Sequence, residues 1–183
     1  MSEKDLQPGA SIAPLFDEEA LRYSIAELGR RLAADLGGED PLLVAILGGS
    51  VIFLADLVRA IDRPVRFELV HVEDSGDDTG GLGVRKIQYP IPIELAGQTV
   101  VVLKDVVATG VIESYLEQQL RDHGAHAVRF VALIDMPAER KTAFEVDYRA
   151  FSTERHGTLV GYGLKHAGRY GNLPYIGLLP PEA

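Results

Sequence analysis

Hydrophobic and polar positions follow two different periods along the chain. In EEALRYSIAELGRRLAADL, Leu21, Ile25, Leu28 and Leu32 recur at helical spacing, Asp17 stands where a cap belongs, and Gly37-Gly38 ends the run. PLLVAIL has no helical period; it is a short unbroken apolar run, the pattern of a strand buried on both faces. GGS and an apolar-rich helix, VIFLADLVRAI, follow, and then a strand, PVRFELVHV. QTVVVLKD repeats the buried-strand pattern, VIESYLEQQLRDHGA reads as a helix stopped by Gly124, and HAVRFVALID reads as the next strand. RKIQYPI carries Pro90 and Pro92, which confine a strand to an edge or an end. TLVGYGL and LPYIGLL read as short late strands. Residues 1–16, broken by Pro8, Gly9 and Pro14, read as an irregular arm, and 73–84, EDSGDDTGGLGV, as an acidic surface loop. Strand–helix alternation through the middle predicts an α/β fold, a parallel-centred sheet with crossover helices on its faces.

Composition narrows the class. A chain of 183 residues, 46% hydrophobic and 25% charged, suits a single domain over 1–183, with its core at 42–135. The absence of cysteine excludes disulfides, thiolate nucleophiles and thiolate metal sites. A net charge of −9 and a pI near 5.0 argue against nucleic acid as a partner, which needs clustered Lys and Arg. No apolar run approaches the roughly 18–20 residues of a membrane span, and MSEKDLQPGA lacks the apolar core of a signal peptide, so a cytoplasmic protein is expected. His71, His123, His126, His156 and His166 show no metal spacing, and Asp74, Asp77 and Asp78 lack that of a calcium loop.

Ligands of an open parallel sheet bind beyond the C-terminal ends of its strands. Three turns gather there: LGGS (Leu47–Ser50), KDVVATGV after the central strand, and DMPAER (Asp135–Arg140). Gly48 and Gly49 let backbone approach a ligand closely. Thr109-Gly110 at a helix N-terminus offers free N–H groups and the positive end of the helix dipole to an anion.

The order of four segments resembles the hypoxanthine-guanine phosphoribosyltransferase family, of the type I phosphoribosyltransferase fold. LVAILGGSVIFLADLVRAI is similar to its pyrophosphate loop, ELAGQTVVVLKDVVATG to its 5-phosphoribosyl pyrophosphate (PRPP) segment, and LVGYGL with NLPYIGLL to its purine-site signature. The resemblance spans roughly Leu42 to Leu179 and implies a small hood built from the N-terminal arm and the C-terminal segment, to which 136–183 contribute strands. It also implies a homodimer or homotetramer, an expectation that the apolar run Val51–Leu54 strengthens. The family moves a phosphoribosyl group from PRPP to a 6-oxopurine, using Mg²⁺.

The departures fall on the family's working residues. Its PRPP motif reads Glu-Asp, two aliphatics, Asp-Thr-Gly, any residue, Thr. Lys104 replaces the first acid, Asp105 is kept, Ala108 replaces the proton-handling aspartate, Thr109 and Gly110 match, and Ile112 replaces the last threonine. Met136 stands where the family has the lysine that contacts the purine, Thr158 where it has the stacking aromatic, Lys165 where it has a Mg²⁺-ligating aspartate, and Gly171 where it has an arginine. Asp74-Ser75 stands in for the mobile loop's Ser-Tyr pair, and Leu159 falls in the purine-site segment. Alanine can neither accept nor donate a proton. The leading expectation is a purine phosphoribosyltransferase homologue with a degraded catalytic site, acting as an anion- or nucleotide-binding or regulatory protein. Without a bound metal, it would hold a small anion or nucleotide at Lys104, Asp105, Thr109, Gly110, Gly48, Gly49, Met136, Leu159 and Lys165. An active transferase of altered substrate, which would need Mg²⁺, and a structural partner of an active paralogue are the alternatives. Two lysines where the family places acids would favour direct anion binding, and Glu113 would oppose it if its side chain points at the turn.

Overall fold

Asp17 starts the first helix as its residue type dictates. In the computed structural model, which describes residues 12–73, 86–88 and 95–179, its carboxylate accepts a hydrogen bond from Ala20 N–H at 2.8 Å. Helix α1 (Glu18–Leu36) buries Leu21, Ile25, Leu28 and Leu32, and Gly37 closes it with a bond from its N–H to Ala34 O. Strand β2 (Leu42–Ile46) is buried at every position, as its unbroken apolar run requires. It leads through helix α2 (Ser50–Ala60) to strand β3 (Arg66–Glu73), which pairs with it in parallel. Strand β5 (Thr99–Val107) pairs with the other edge of β2, then leads through helix α3 (Val111–Asp122) to strand β6 (Ala127–Asp135), again in parallel. The short strand β4 (Lys86–Gln88) pairs antiparallel at the outer edge of β3, the edge position expected of RKIQYPI.

The main sheet runs β4-β3-β2-β5-β6-β7, with β5 inside it as expected. Period-two alternation sorts its side chains between two cores. Leu43, Ala45, Val101, Leu103, Val131 and Leu133 pack with α1 and α2 on one face. Leu42, Val44, Val100, Val102, Val128 and Phe130 pack with Leu116 and Leu120 of α3 on the other. A second sheet, β1-β9-β8, forms the hood: β9 (Ile176–Leu178) pairs antiparallel with both β8 (Leu159–Val160) and β1 (Pro14–Phe16).

Two elements differ from the sequence reading. The arm over 1–16 is not irregular throughout, because Pro14–Phe16 form β1 and Tyr175 OH donates to Ile12 O at 2.9 Å. A fifth parallel strand, β7 (Tyr148–Ser152), lies at the far edge beside β6. Its half-exposed, Arg-containing stretch lacks a buried-strand run, and its partners are supplied by β6 and by Phe16, which stacks on Phe151 at 4.2 Å. The acidic loop at 73–84, apart from Glu73 at the end of β3, lies outside the described residues.

Candidate functional site

The order in which strands are added reverses between the parallel neighbours β2 and β5: β2 leads through α2 to β3 on one side, and β5 leads through α3, on the opposite face, to β6 on the other. That is the switch point of an open sheet, where two turns part and leave a crevice. Asp105 bridges it. One carboxylate oxygen accepts Gly49 N–H at 3.1 Å; the other accepts Val106 N–H at 2.9 Å and the Lys104 ammonium at 2.5 Å. A Cβ on Gly49 would lie 2.5 Å from Asp105 Oδ2 and 2.9 Å from Leu164 Cδ2, so a side chain there would displace the carboxylate from its bond to Gly49 N–H. The hood loop sits on the same turn, since a Cβ on Gly163 would lie 2.5 Å from Gly49 O.

The β5–α3 turn is equally tight. Gly110 has φ +77°, and a Cβ there would lie 2.6 Å from Thr142 Oγ1 and 2.9 Å from Arg140 Cδ. Ser114 Oγ donates to Gly110 O at 2.8 Å, and no side chain caps the helix. Thr109 Oγ1 accepts Val111 N–H at 3.4 Å, so the first turn of α3 offers the crevice the positive end of its dipole rather than a full set of free N–H groups. Glu113 stands in the first turn of α3. At 3% exposed it lies on the same buried stripe as Leu116 and Leu120. Burial pushes its carboxyl above the usual carboxylate range, opposed by its own backbone N–H and by the charges of Lys104 and Arg140.

At the end of β6, Asp135 is 2% exposed and accepts from two guanidiniums, those of Arg140 and Arg149, the latter at 2.9 Å. Arg140 also donates to Ala108 O at 2.6 Å, and Lys141 N–H donates to Thr109 O at 2.9 Å. This cluster therefore holds the backbone of the β5–α3 turn. A cavity of about 430 Å³ opens beside it, lined by Asp135, Arg140, Thr142 and Arg149 among others.

Lys104, Asp105, Gly48, Gly49, Thr109 and Gly110 converge at this strand end, as their positions in the sequence imply. Ala108 is half-buried and packs against the α1–α2 core. Met136 is 5% exposed within that core, and Leu159 packs against it half-buried. Lys165 is exposed on the hood loop, its stem beside Gly171, where a Cβ would meet Lys165 Cγ at 2.9 Å. Sequence reasoning assigned no role to Arg140 or Asp135, although DMPAER was one of the three gathered turns. The i, i+3, i+7 spacing of Glu113, Leu116 and Leu120 was the available sign that Glu113 points inward.

A divalent ion of the kind the fold family uses does not fit these residues. Lys104 carries positive charge to the place of a carboxylate, and both Asp105 oxygens are engaged by donors. Among the described residues no group of three or more His, Asp or Glu is placed to hold a metal, and no helix is long and apolar enough to cross a membrane.

The fold and this crevice define a phosphoribosyltransferase domain, and the family model of the phosphoribosyl transferase domain matches residues 13–166. The bifunctional protein TilS/HprT of Listeria innocua is 38% identical over 168 residues, 92% of this chain but 26% of its own length, so the chain spans about a quarter of that relative. The hypoxanthine-guanine phosphoribosyltransferase of Bacillus subtilis is 33% identical over 167 residues, 91% of this chain and 92% of that one. A solved structure of the Trypanosoma cruzi hypoxanthine phosphoribosyl transferase superposes with a TM-score of 0.85 at 27% identity, covering 96% of this chain and 95% of that one. The chain belongs to the hypoxanthine-guanine phosphoribosyltransferase family.

Proposed function

We propose that this protein is a purine-salvage phosphoribosyltransferase homologue that holds an anionic ligand at the β5–α3 turn and transfers a phosphoribosyl group to hypoxanthine or guanine slowly or not at all. The observation that carries this reading is Ala108, a residue without a proton to give or take at the strand end where the resemblance places the purine. Proton handling of this kind contributes about 10²–10⁴-fold in rate. The residues that remain suit binding: α3 brings the positive end of its dipole to the turn, and Asp105, by accepting Gly49 N–H, fixes the distance between the two turns.

An active transferase is the second reading, and the names of the relatives favour it over the first. The Bacillus subtilis protein called a hypoxanthine-guanine phosphoribosyltransferase aligns over nine tenths of both chains. Side chains and names thus pull in opposite directions, and a steady-state assay decides between them. PRPP is supplied with hypoxanthine, guanine or xanthine, with and without Mg²⁺. Turnover of about 1 s⁻¹ or more, an ordinary enzyme rate, overturns the first reading; rates at least about 10²-fold lower uphold it.

The same reading includes a homo-oligomer. On α2, Phe53 and Leu54 face the core while Val51 and Ile52 are 44% and 39% exposed beside Leu47. The Trypanosoma cruzi structure's own subject is the oligomeric state of that enzyme. A second copy of this chain would cover the strip. Light scattering should give a dimer or larger, and Ile52→Glu should shift it toward monomer; a monomeric parent protein rejects the idea.

A further inference from the structure

We infer that Lys104 and Lys165 stand in for a divalent cation, making the crevice a metal-free site for a pyrophosphate-type anion. The inference rests on the anion-binding reading above for its ligand, but the exclusion of metal stands on the residues alone.

Three observations combine. Lys104 is the first. Its side chain is 19% exposed and that of Asp105 is 14%, so the pair meets little screening solvent. An ammonium fixed 2.5 Å from Asp105 Oδ1 already supplies the positive charge that a metal would bring. A second cation would have to displace it or sit against it, and like charges close together in a poorly solvated site repel strongly.

The carboxylate's geometry is the second. Oδ1 accepts two hydrogen bonds, from Lys104 Nζ and Val106 N–H, and Oδ2 accepts Gly49 N–H. A metal bound there would compete with the bond that holds the two turns together. With Lys104 in place, Asp105 works as a structural tie.

The hood loop is the third. Lys165 follows the Gly161–Leu164 turn, whose Gly163 is seated on the Gly49 carbonyl. Its stem lies beside Gly171, and a side chain at 171 would collide with Lys165 Cγ at 2.9 Å. Gly163 N–H donates to Gly171 O at 2.9 Å, which fixes the two segments side by side. The lysine stem thus lies across Gly171, and the exposed loop seated on the Gly49 turn carries one cation at 165. Lysine suits this role because its ammonium is a compact point charge on a flexible stem, able to meet phosphate oxygens at several geometries.

The test separates metal from anion. Mn²⁺ binding is read by electron paramagnetic resonance on the parent protein, Lys104→Glu and Lys104→Ala. Inorganic pyrophosphate binding is read by calorimetry in EDTA and in Mg²⁺. The parent protein should show no Mn²⁺ site, and its pyrophosphate affinity should be equal or tighter in EDTA. Lys104→Glu should gain one Mn²⁺ site and lose about tenfold or more of its metal-free pyrophosphate affinity, and Lys165→Ala should weaken that affinity without gaining metal. Lys104→Ala should weaken pyrophosphate likewise, so the proposal stays testable if the glutamate variant fails to fold. Two results overturn the metal exclusion: a Mn²⁺ site in the parent protein that Asp105→Asn removes, or pyrophosphate binding that requires Mg²⁺. Absence of pyrophosphate binding in both buffers overturns the anion site and the ligand reading it rests on, while the Mn²⁺ result still judges the exclusion of metal.

Discussion

Asp135 and Glu113 are both buried carboxylates near the same strand ends, and they are held in opposite ways. Asp135, 2% exposed, is bonded by the guanidiniums of Arg140 and Arg149. Glu113, 3% exposed, meets Lys104 and Arg140 through their fields, and burial dominates its environment. Charge-assisted bonds in fixed geometry offset the desolvation of the first carboxylate. Nothing of equal strength offsets that of the second. One is a fastener that fixes the β5–α3 turn; the other is a buried carboxyl on the inward stripe of α3, next to that turn.

Removing the fastener should have the largest effect. Asp135→Ala leaves Arg140, with 13% of its side chain exposed, without its carboxylate. Breaking a buried pair in this way costs about 3–5 kcal/mol, read as a lower midpoint in urea. A loss below about 1 kcal/mol would mean that the cluster is a surface feature and that the contrast with Glu113 is empty.

A smaller loss is expected from Asp105→Ala, which deletes the acceptor for Gly49 N–H, Val106 N–H and Lys104. Leaving part-buried donors unmet costs about 1–3 kcal/mol. Hydrogen exchange should localise the loosening to the β2–α2 turn. Protection unchanged there would show that Asp105 does not tie the two turns.

How far the sequence revealed this site depends on the range of the interactions involved. The buried strands β2, β5 and β6 were legible because a strand covered on both faces is apolar at nearly every position. Helix α1 was legible from its cap and its period, both local. Strand β1 was not, because Pro14–Phe16 become a strand only by pairing with β9 at the other end of the chain. Strand β7 was hidden by its edge position, which leaves its side chains half-exposed. Within the site, the identities at 104, 108, 136 and 165 were plain from the resemblance. What they touch was not: Met136 turned into the core, and Arg140 reaching back to Ala108 O, are consequences of where β6 ends. Residue types give the chemistry that is missing; only packing shows which neighbour has taken the space.

The smallest effect, and the one that depends on pH, belongs to Glu113→Gln. Burial raises the folded-state pKa of Glu113 above its ordinary value of 4.5. Between these two values the folded state holds a proton that the unfolded chain has released. Stability then falls as pH rises through that window, and the deficit is constant above the folded pKa. Below about pH 4.5 both states are protonated, and the penalty disappears. Glutamine keeps the shape and never ionises, so the variant should be more stable than its parent at pH 7 and nearly equal to it at pH 4. Thermal unfolding of both proteins across that range makes the comparison. A variant that is less stable at neutral pH would show that Lys104 and Arg140 stabilise the charged carboxylate more than burial penalises it, and Glu113 would then be a second fastener like Asp135. The same substitution bears on the crevice: with no negative charge in the first turn of α3, pyrophosphate affinity should rise, because the helix N-terminus no longer faces an internal competitor.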